Sequence, residues 1–164
     1  MADIIYTEMF VASSINDFHD ERMEIGALVQ QLNSRFVRQG EYLKLNMCED
    51  MPDAIAADEK NRKQEEYNRA IRRSKLFILL ADRNVGEYTV EELFVADAQH
   101  EETGDPYICI FIKKREGEEL SDDMKRLQGF AASKKYECEM FEDMDVVKRK
   151  IEEKMGELIC REEA

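Results

Sequence analysis

Two continuous apolar runs in the middle of the chain constrain its fold more than any other feature. Residues 76–80 read Leu-Phe-Ile-Leu-Leu and residues 107–112 read Tyr-Ile-Cys-Ile-Phe-Ile, so neither run contains a charged side chain. A strand that is apolar at every position is buried on both faces, as the central strands of a parallel sheet are. Both runs are therefore predicted to be neighbouring central strands.

Strand and helix patterns alternate along the chain. Strands are predicted where β-branched and aromatic residues cluster, and helices where apolar residues recur at three- and four-residue steps. The predicted strands are residues 4–12, 42–47, 76–80, 107–112 and 136–141. The predicted helices are residues 18–37, 60–74, 89–103, 122–133 and 146–160. Each strand is thus followed by a helix.

Alternating strands and helices predict a doubly wound α/β domain. We expect a flavodoxin-like three-layer fold, with a five-stranded parallel sheet of order 2-1-3-4-5, helices on both faces, and a single domain over residues 1–164. Ligands of such folds bind where the carboxyl ends of the first and third strands diverge. Ser13 and Ser14, residues 48–59 and residues 86–92 are therefore predicted to converge on one cleft.

Charge and cysteine usage exclude several classes of function. The 24 lysines and arginines are outnumbered by 37 aspartates and glutamates, and the formal charge of −13 disfavours nucleic acid as a partner. No long apolar segment or signal-peptide pattern is present, so we expect a soluble, cytoplasmic protein that does not bind membranes. The four cysteines are scattered, which predicts reduced thiols rather than disulfides or a metal site.

The stretch after the third strand contains two adjacent carboxylates, Glu91 and Glu92. In one interpretation Thr89 caps the following helix and both acids lie in its first turn, where the helix dipole favours negative charge. In the other, one carboxylate points into the cleft. Adjacent helical residues lie about 100° apart, so both cannot face the cleft squarely. Apolar positions surround this helix, and periodicity alone does not choose between the two acids.

Three segments together resemble a bacterial TIR (Toll/interleukin receptor) domain over nearly the whole chain. They are residues 10–14 (Phe-Val-Ala-Ser-Ser), residues 63–74 before the third strand, and residues 86–93 (Gly-Glu-Tyr-Thr-Val-Glu-Glu-Leu). TIR domains that cleave NAD+ carry a glutamate in a Trp-Cys-x-x-Glu-Leu pattern. Residues 88–93 match it with tyrosine for tryptophan and threonine for cysteine, which assigns the catalytic position to Glu92.

The resemblance implies an NAD+ nucleosidase that releases nicotinamide and ADP-ribose or a cyclic form, in defence or stress signalling. It implies NAD+ as substrate, no other cofactor, no metal, and activation by self-association with other TIR domains. The substrate contacts it suggests are Ser13, Ser14, Asp50, Tyr88 and Arg83, and the gating-loop residues are Glu49, Asp50, Met51 and Pro52.

A positive charge that offsets the NAD+ diphosphate would come from one of four basic residues, namely Arg22, Lys60, Arg62 and Arg83. Two other functions fit the same residues. One is a non-enzymatic TIR module that signals through TIR–TIR contacts. The other is an enzyme similar to nucleoside deoxyribosyltransferases, which use a glutamate against another N-ribosyl bond. Assays of NAD+ cleavage and of nucleoside base exchange separate the three.

Overall fold

The computed structural model describes residues 3–13, 18–47 and 57–162. The strands are β1 (Ile5–Ser13), β2 (Glu41–Met47), β3 (Leu76–Ala81), β4 (Tyr107–Lys113) and β5 (Glu137–Phe141). The helices are α1 (His19–Phe36), α2 (Ala57–Arg73), α3 (Glu87–Thr103), α4 (Asp122–Lys134) and α5 (Asp145–Glu162). None of the helices in these ranges is long and apolar enough to cross a membrane.

The five strands form one parallel sheet in the order β2-β1-β3-β4-β5. The predicted fold class, strand order and central strands are confirmed. In the pairing of β3 with β4, Leu79 lies directly opposite Ile110. Every residue of β3 is buried, as expected for a strand with a neighbour on each side and helices above and below.

Helices cover both faces of the sheet and enclose two hydrophobic cores. Alternate residues of a strand point to opposite faces, so Met9 and Val11 join α1 and α5 in one core. Phe10 and Ala12 join α2, α3 and α4 in the other. The sheet therefore separates two groups of helices, and side chains from either group can approach its carboxyl edge.

Two helices begin two or more residues earlier than their sequence patterns indicate. Helix α2 starts at Ala57 rather than Lys60, so residues 57–59, predicted as loop, are helical. Alanine and acidic residues favour a first helical turn, which accounts for the extension. Helix α3 starts at Glu87, and the extended backbone of Gly86 provides its N-cap. The prediction that Thr89 caps this helix is wrong.

Candidate active site

Helix α3 presents the two neighbouring carboxylates to opposite environments. Glu92 is buried, with 1 % of its surface exposed, whereas Glu91 is exposed. The buried side of α3 also includes Leu93 and Ala96, which pack into the core between the sheet and α2–α4. Glu92 is therefore the member of the pair that is directed into the protein.

A buried carboxylate is unusual, because removing its charge from water is costly. A second polar residue of α3, Thr89, lies one turn closer to the amino end of the helix and is also buried. Residues three apart lie on the same side of a helix, so Thr89 and Glu92 form a polar strip on the inner side of α3. Packing alone would favour apolar residues at both positions. The strip lies in the first two turns of the helix that follows β3.

The last residue of β1 contributes a second buried polar group. The hydroxyl of Ser13 accepts a hydrogen bond of 3.0 Å from Nη1 of Arg22, and both residues are buried. Only 4 % of Arg22 is exposed, although it is charged. Ser13 has the same strand parity as Met9 and Val11, so its side chain faces α1. Of the four candidate cations, Arg22 thus lies at the carboxyl end of β1.

Polar groups therefore flank the ends of β1 and β3 from both faces of the sheet. Ser13 is paired with Leu80 of β3, and Arg22 reaches it from the α1 side. Glu92 belongs to α3, which packs on the other face and also contacts β1. This is the point where the strand order reverses, and open α/β sheets bind ligands there.

Arg83 lies at the start of the segment that links β3 to α3, and its guanidinium is already bound. It forms two hydrogen bonds with Glu118, of 3.3 Å from Nε and 2.6 Å from Nη2. Its backbone φ of 29° is uncommon for a residue with a side chain. The Arg83 carbonyl also accepts a hydrogen bond from the Ser121 hydroxyl, the N-cap of α4. Arg83 thus contacts the β4–α4 segment, and its assignment to NAD+ stays a prediction.

A second arginine, Arg115, also binds the segment that links β3 to α3. Arg115 binds Asp82 through Nε, at 2.9 Å, and through Nη2. These hydrogen bonds lower the pKa of Asp82 below its ordinary value, against the opposing effect of burial. The two arginine–carboxylate pairs join the β3–α3 segment to the β4–α4 segment beside a cavity of about 610 Å³. Nothing in local sequence pattern indicates this connection, because the partners lie 33 and 35 residues apart.

Tyr88, predicted to border the base or ribose, lies one turn before Glu92, and 44 % of its surface is exposed. Its role stays a prediction. The remaining predicted contacts lie outside the described residues: Ser14, Glu49, Asp50, Met51 and Pro52. Among the residues that the structure does describe, no cluster of three histidines, cysteines, aspartates or glutamates is arranged to hold a metal ion.

Comparisons with known proteins add little to this geometry. No protein-family model and no curated protein matches the chain. Among solved structures, it is similar to the CMP N-glycosidase BcmB of Clostridium botulinum, with 12% identity and a TM-score of 0.49. That similarity covers 89% of this chain and 98% of the other. A likeness this distant carries no argument about activity.

Proposed function

We propose that this chain cleaves the bond between nicotinamide and ribose in NAD+, with Glu92 as the catalytic carboxylate. One observation carries the proposal: Glu92 is buried on the inner side of α3 beside the switch point of the sheet, while Glu91 is exposed. The buried acid is the one that matches the glutamate of NAD+-cleaving TIR domains. A resemblance in motif and a placement in three dimensions therefore favour the same residue.

The chemistry needs one negative charge near the ribose. When the bond from C1′ to the nicotinamide nitrogen breaks, positive charge develops on C1′ and the ring oxygen, as in glycoside hydrolysis. A carboxylate fixed nearby, in a site of low polarity, stabilises that charge. Nicotinamide leaves as a neutral molecule, so no general acid is required. Water then adds to C1′ and loses a proton, which gives ADP-ribose.

Substrate charge also has to be accommodated. The chain carries a formal charge of −13, which repels the diphosphate of NAD+. Arg22 brings a buried guanidinium to the end of β1, and its Nη1 donates to Ser13. A positive charge in such surroundings is screened less by water than one at the surface. We propose that Arg22 offsets the diphosphate charge and that Ser13 keeps the guanidinium oriented.

The burial of Glu92 has a consequence for regulation. With 1 % of its surface exposed, Glu92 is covered, and NAD+ reaches it only when the covering residues move. A closed isolated chain would be a poor enzyme. Self-association that stabilises an open arrangement would raise its activity, as population shift requires. We therefore propose that contacts between copies of the chain activate it.

The decisive experiment measures nicotinamide release from NAD+ by the parent protein, Glu92→Gln and Glu91→Gln. The two variants make the same chemical change at adjacent positions, so Glu91→Gln is a matched control. Loss of release in Glu92→Gln alone supports the proposal. Release that persists in Glu92→Gln contradicts it. A parent that releases no nicotinamide, even when clustered, favours the non-enzymatic signalling module.

The same variants test the third function. Nucleosides and CMP, incubated with a second free base, would be cleaved or exchanged by an enzyme specific for other N-ribosyl bonds. Glu92 would serve that reaction through the same stabilisation of charge at C1′. Base release from these substrates, together with no nicotinamide release from NAD+, would replace the NAD+ proposal.

A further inference from the structure

A cavity of about 550 Å³ lies between the edge strand β2 and helix α2. Its size is within the range of small-molecule sites. Residues of α2 at three- and four-residue steps line one wall, from Lys63 through Tyr67 and Ala70 to Arg73. The end of β2 lines the other wall. No residue of α3 borders it, so the cavity is separate from the surroundings of Glu92.

The lining is cationic in a chain that is strongly acidic overall. It includes Lys63, Arg69 and Arg73 against a single acid, Glu66. Arg73 is bound to Glu8 of β1, with hydrogen bonds of 2.9 and 3.3 Å. Arg69 has a contact of 3.8 Å with Glu65, and both side chains are largely exposed. Arg69 is thus only weakly paired. Lys63 forms no ion pair with the other described residues.

The edge strand β2 has outward-facing backbone groups beside the same cavity. Asn33 hydrogen-bonds both the N–H and the carbonyl of Leu43, at 2.7 and 2.9 Å, so these groups point away from β1. Backbone groups of a strand alternate in direction, and those of Leu45 and Met47 therefore point the same way. Both residues line the cavity, while their side chains pack against the core on the α1 face. Among the described residues, no strand pairs with that side of β2.

Two further side chains define the shape of the cavity. The Asn46 amide donates to Glu8 at 3.1 Å, which leaves its carbonyl oxygen as an acceptor. The Tyr67 ring packs edge-on against Phe10, with 6.1 Å between centroids, so it is held in place at the α2 wall. An aromatic ring fixed beside cationic groups can stack on a planar base.

From these features we propose that the β2–α2 cavity binds a phosphate-bearing small anion. Lys63 and Arg69 supply the positive charge, and the outward N–H groups of Leu45 and Met47 supply directional donors. Inorganic pyrophosphate and a nucleoside diphosphate share this chemistry. Tyr67 distinguishes them, because it can contact the base of a nucleotide. The site is independent of the proposed NAD+ cleavage.

The test is direct binding of pyrophosphate and of ADP to the purified chain, measured by calorimetry at low salt. Removing both charges with Lys63→Gln and Arg69→Gln should weaken binding of either ligand by about tenfold or more, which corresponds to a loss of at least ~1.4 kcal/mol of binding free energy. Arg126→Gln removes an exposed arginine from α4, outside the cavity, and should leave binding unchanged. Tighter binding of ADP than of pyrophosphate identifies a nucleotide as the ligand, and equal binding identifies the phosphate group alone.

Glu92→Gln keeps the two proposals distinguishable. It should lower nicotinamide release by about two orders of magnitude or more, yet bind pyrophosphate as the parent does, because Glu92 does not line this cavity. Melting temperatures of all variants establish that they are folded. The anion site is refuted if neither ligand binds at millimolar concentration, or if the double variant binds as well as Arg126→Gln.

Discussion

Arg22 donates a buried hydrogen bond of 3.0 Å from Nη1 to the hydroxyl of Ser13, which ties helix α1 to the last residue of β1. Both side chains are buried. Ser13→Ala removes the acceptor and leaves a buried charged donor without this bond. We expect a loss of about 1–3 kcal/mol in the free energy of unfolding. Urea titration measures it.

A matched variant distinguishes the loss of the Arg22–Ser13 hydrogen bond from the loss of a serine hydroxyl alone. Ser34→Ala removes a hydroxyl that is exposed on α1 and bonds to the Gln30 carbonyl, so it should change stability by a few tenths of a kcal/mol at most. Equal effects of the two substitutions would show that the Arg22–Ser13 bond contributes nothing specific.

Glu92→Gln should lower NAD+ cleavage by about two orders of magnitude or more, since preorganised charge at a reacting centre contributes that much. The amide keeps the size of the side chain. Glu91→Gln should retain activity near that of the parent, because Glu91 is exposed. Nicotinamide release at saturating NAD+ is the measurement. The reverse pattern would move the catalytic position to Glu91.

Activity should rise with association of the chains, because Glu92 is covered in the isolated chain. Specific nicotinamide release should increase with protein concentration, and further when the protein is clustered on beads. The Glu92→Gln variant, clustered in the same way, is the control for non-enzymatic release. Specific activity that stays constant over a wide concentration range would contradict activation by self-association.

Leu79→Ala should destabilise the fold by about 2–5 kcal/mol, because it leaves a cavity in place of a fully buried side chain on the strand position opposite Ile110. Phe94→Ala is the control. Its ring is larger, but 57 % of the residue is exposed, so its loss should be clearly smaller. Denaturant unfolding compares the two. Similar losses would mean that burial in β3 is not what stabilises this region.

The Asp82–Arg115 pair should make stability depend on pH in a defined direction. Because the pKa of Asp82 is lowered in the folded protein, its contribution is present above its unfolded pKa of about 4 and is lost as pH falls through the lower folded value. Asp82→Asn should therefore cost roughly 0.5–1 kcal/mol at pH 7, where solvent screens the partly exposed Arg115. The difference from the parent should shrink below pH 4.

A second substitution checks the cause of that pH dependence. Arg115→Gln removes the hydrogen bonds that lower the Asp82 pKa, so the loss of stability in the double variant should be smaller than the sum of the two single losses. Losses that add fully would show that the two residues act independently.

The local pattern of apolar and polar residues was sufficient to predict the fold. The apolar runs that became β3 and β4 are buried at every or nearly every position, and alternation of strands and helices led to the order 2-1-3-4-5. Such signals are readable because burial on both faces requires apolar residues at consecutive positions. Helix ends did not follow from the pattern, since Gly86 rather than Thr89 is the N-cap of α3. Caps depend on backbone angles that side-chain pattern does not specify.

Which of Glu91 and Glu92 is buried was decided by tertiary structure. Sequence similarity to a motif favoured Glu92, but apolar residues surround α3, so its buried side follows from how it packs against the sheet and α2. The partners of Arg83 and Asp82 lie more than 30 residues away, and the β2–α2 cavity joins residues 45–47 to residues 63–73. Sequence alone determined which segments are strands and helices, because that depends on neighbouring residues. Which charges are buried, paired or brought to a common cavity was decided only by long-range packing, because those contacts depend on residues far apart in the chain.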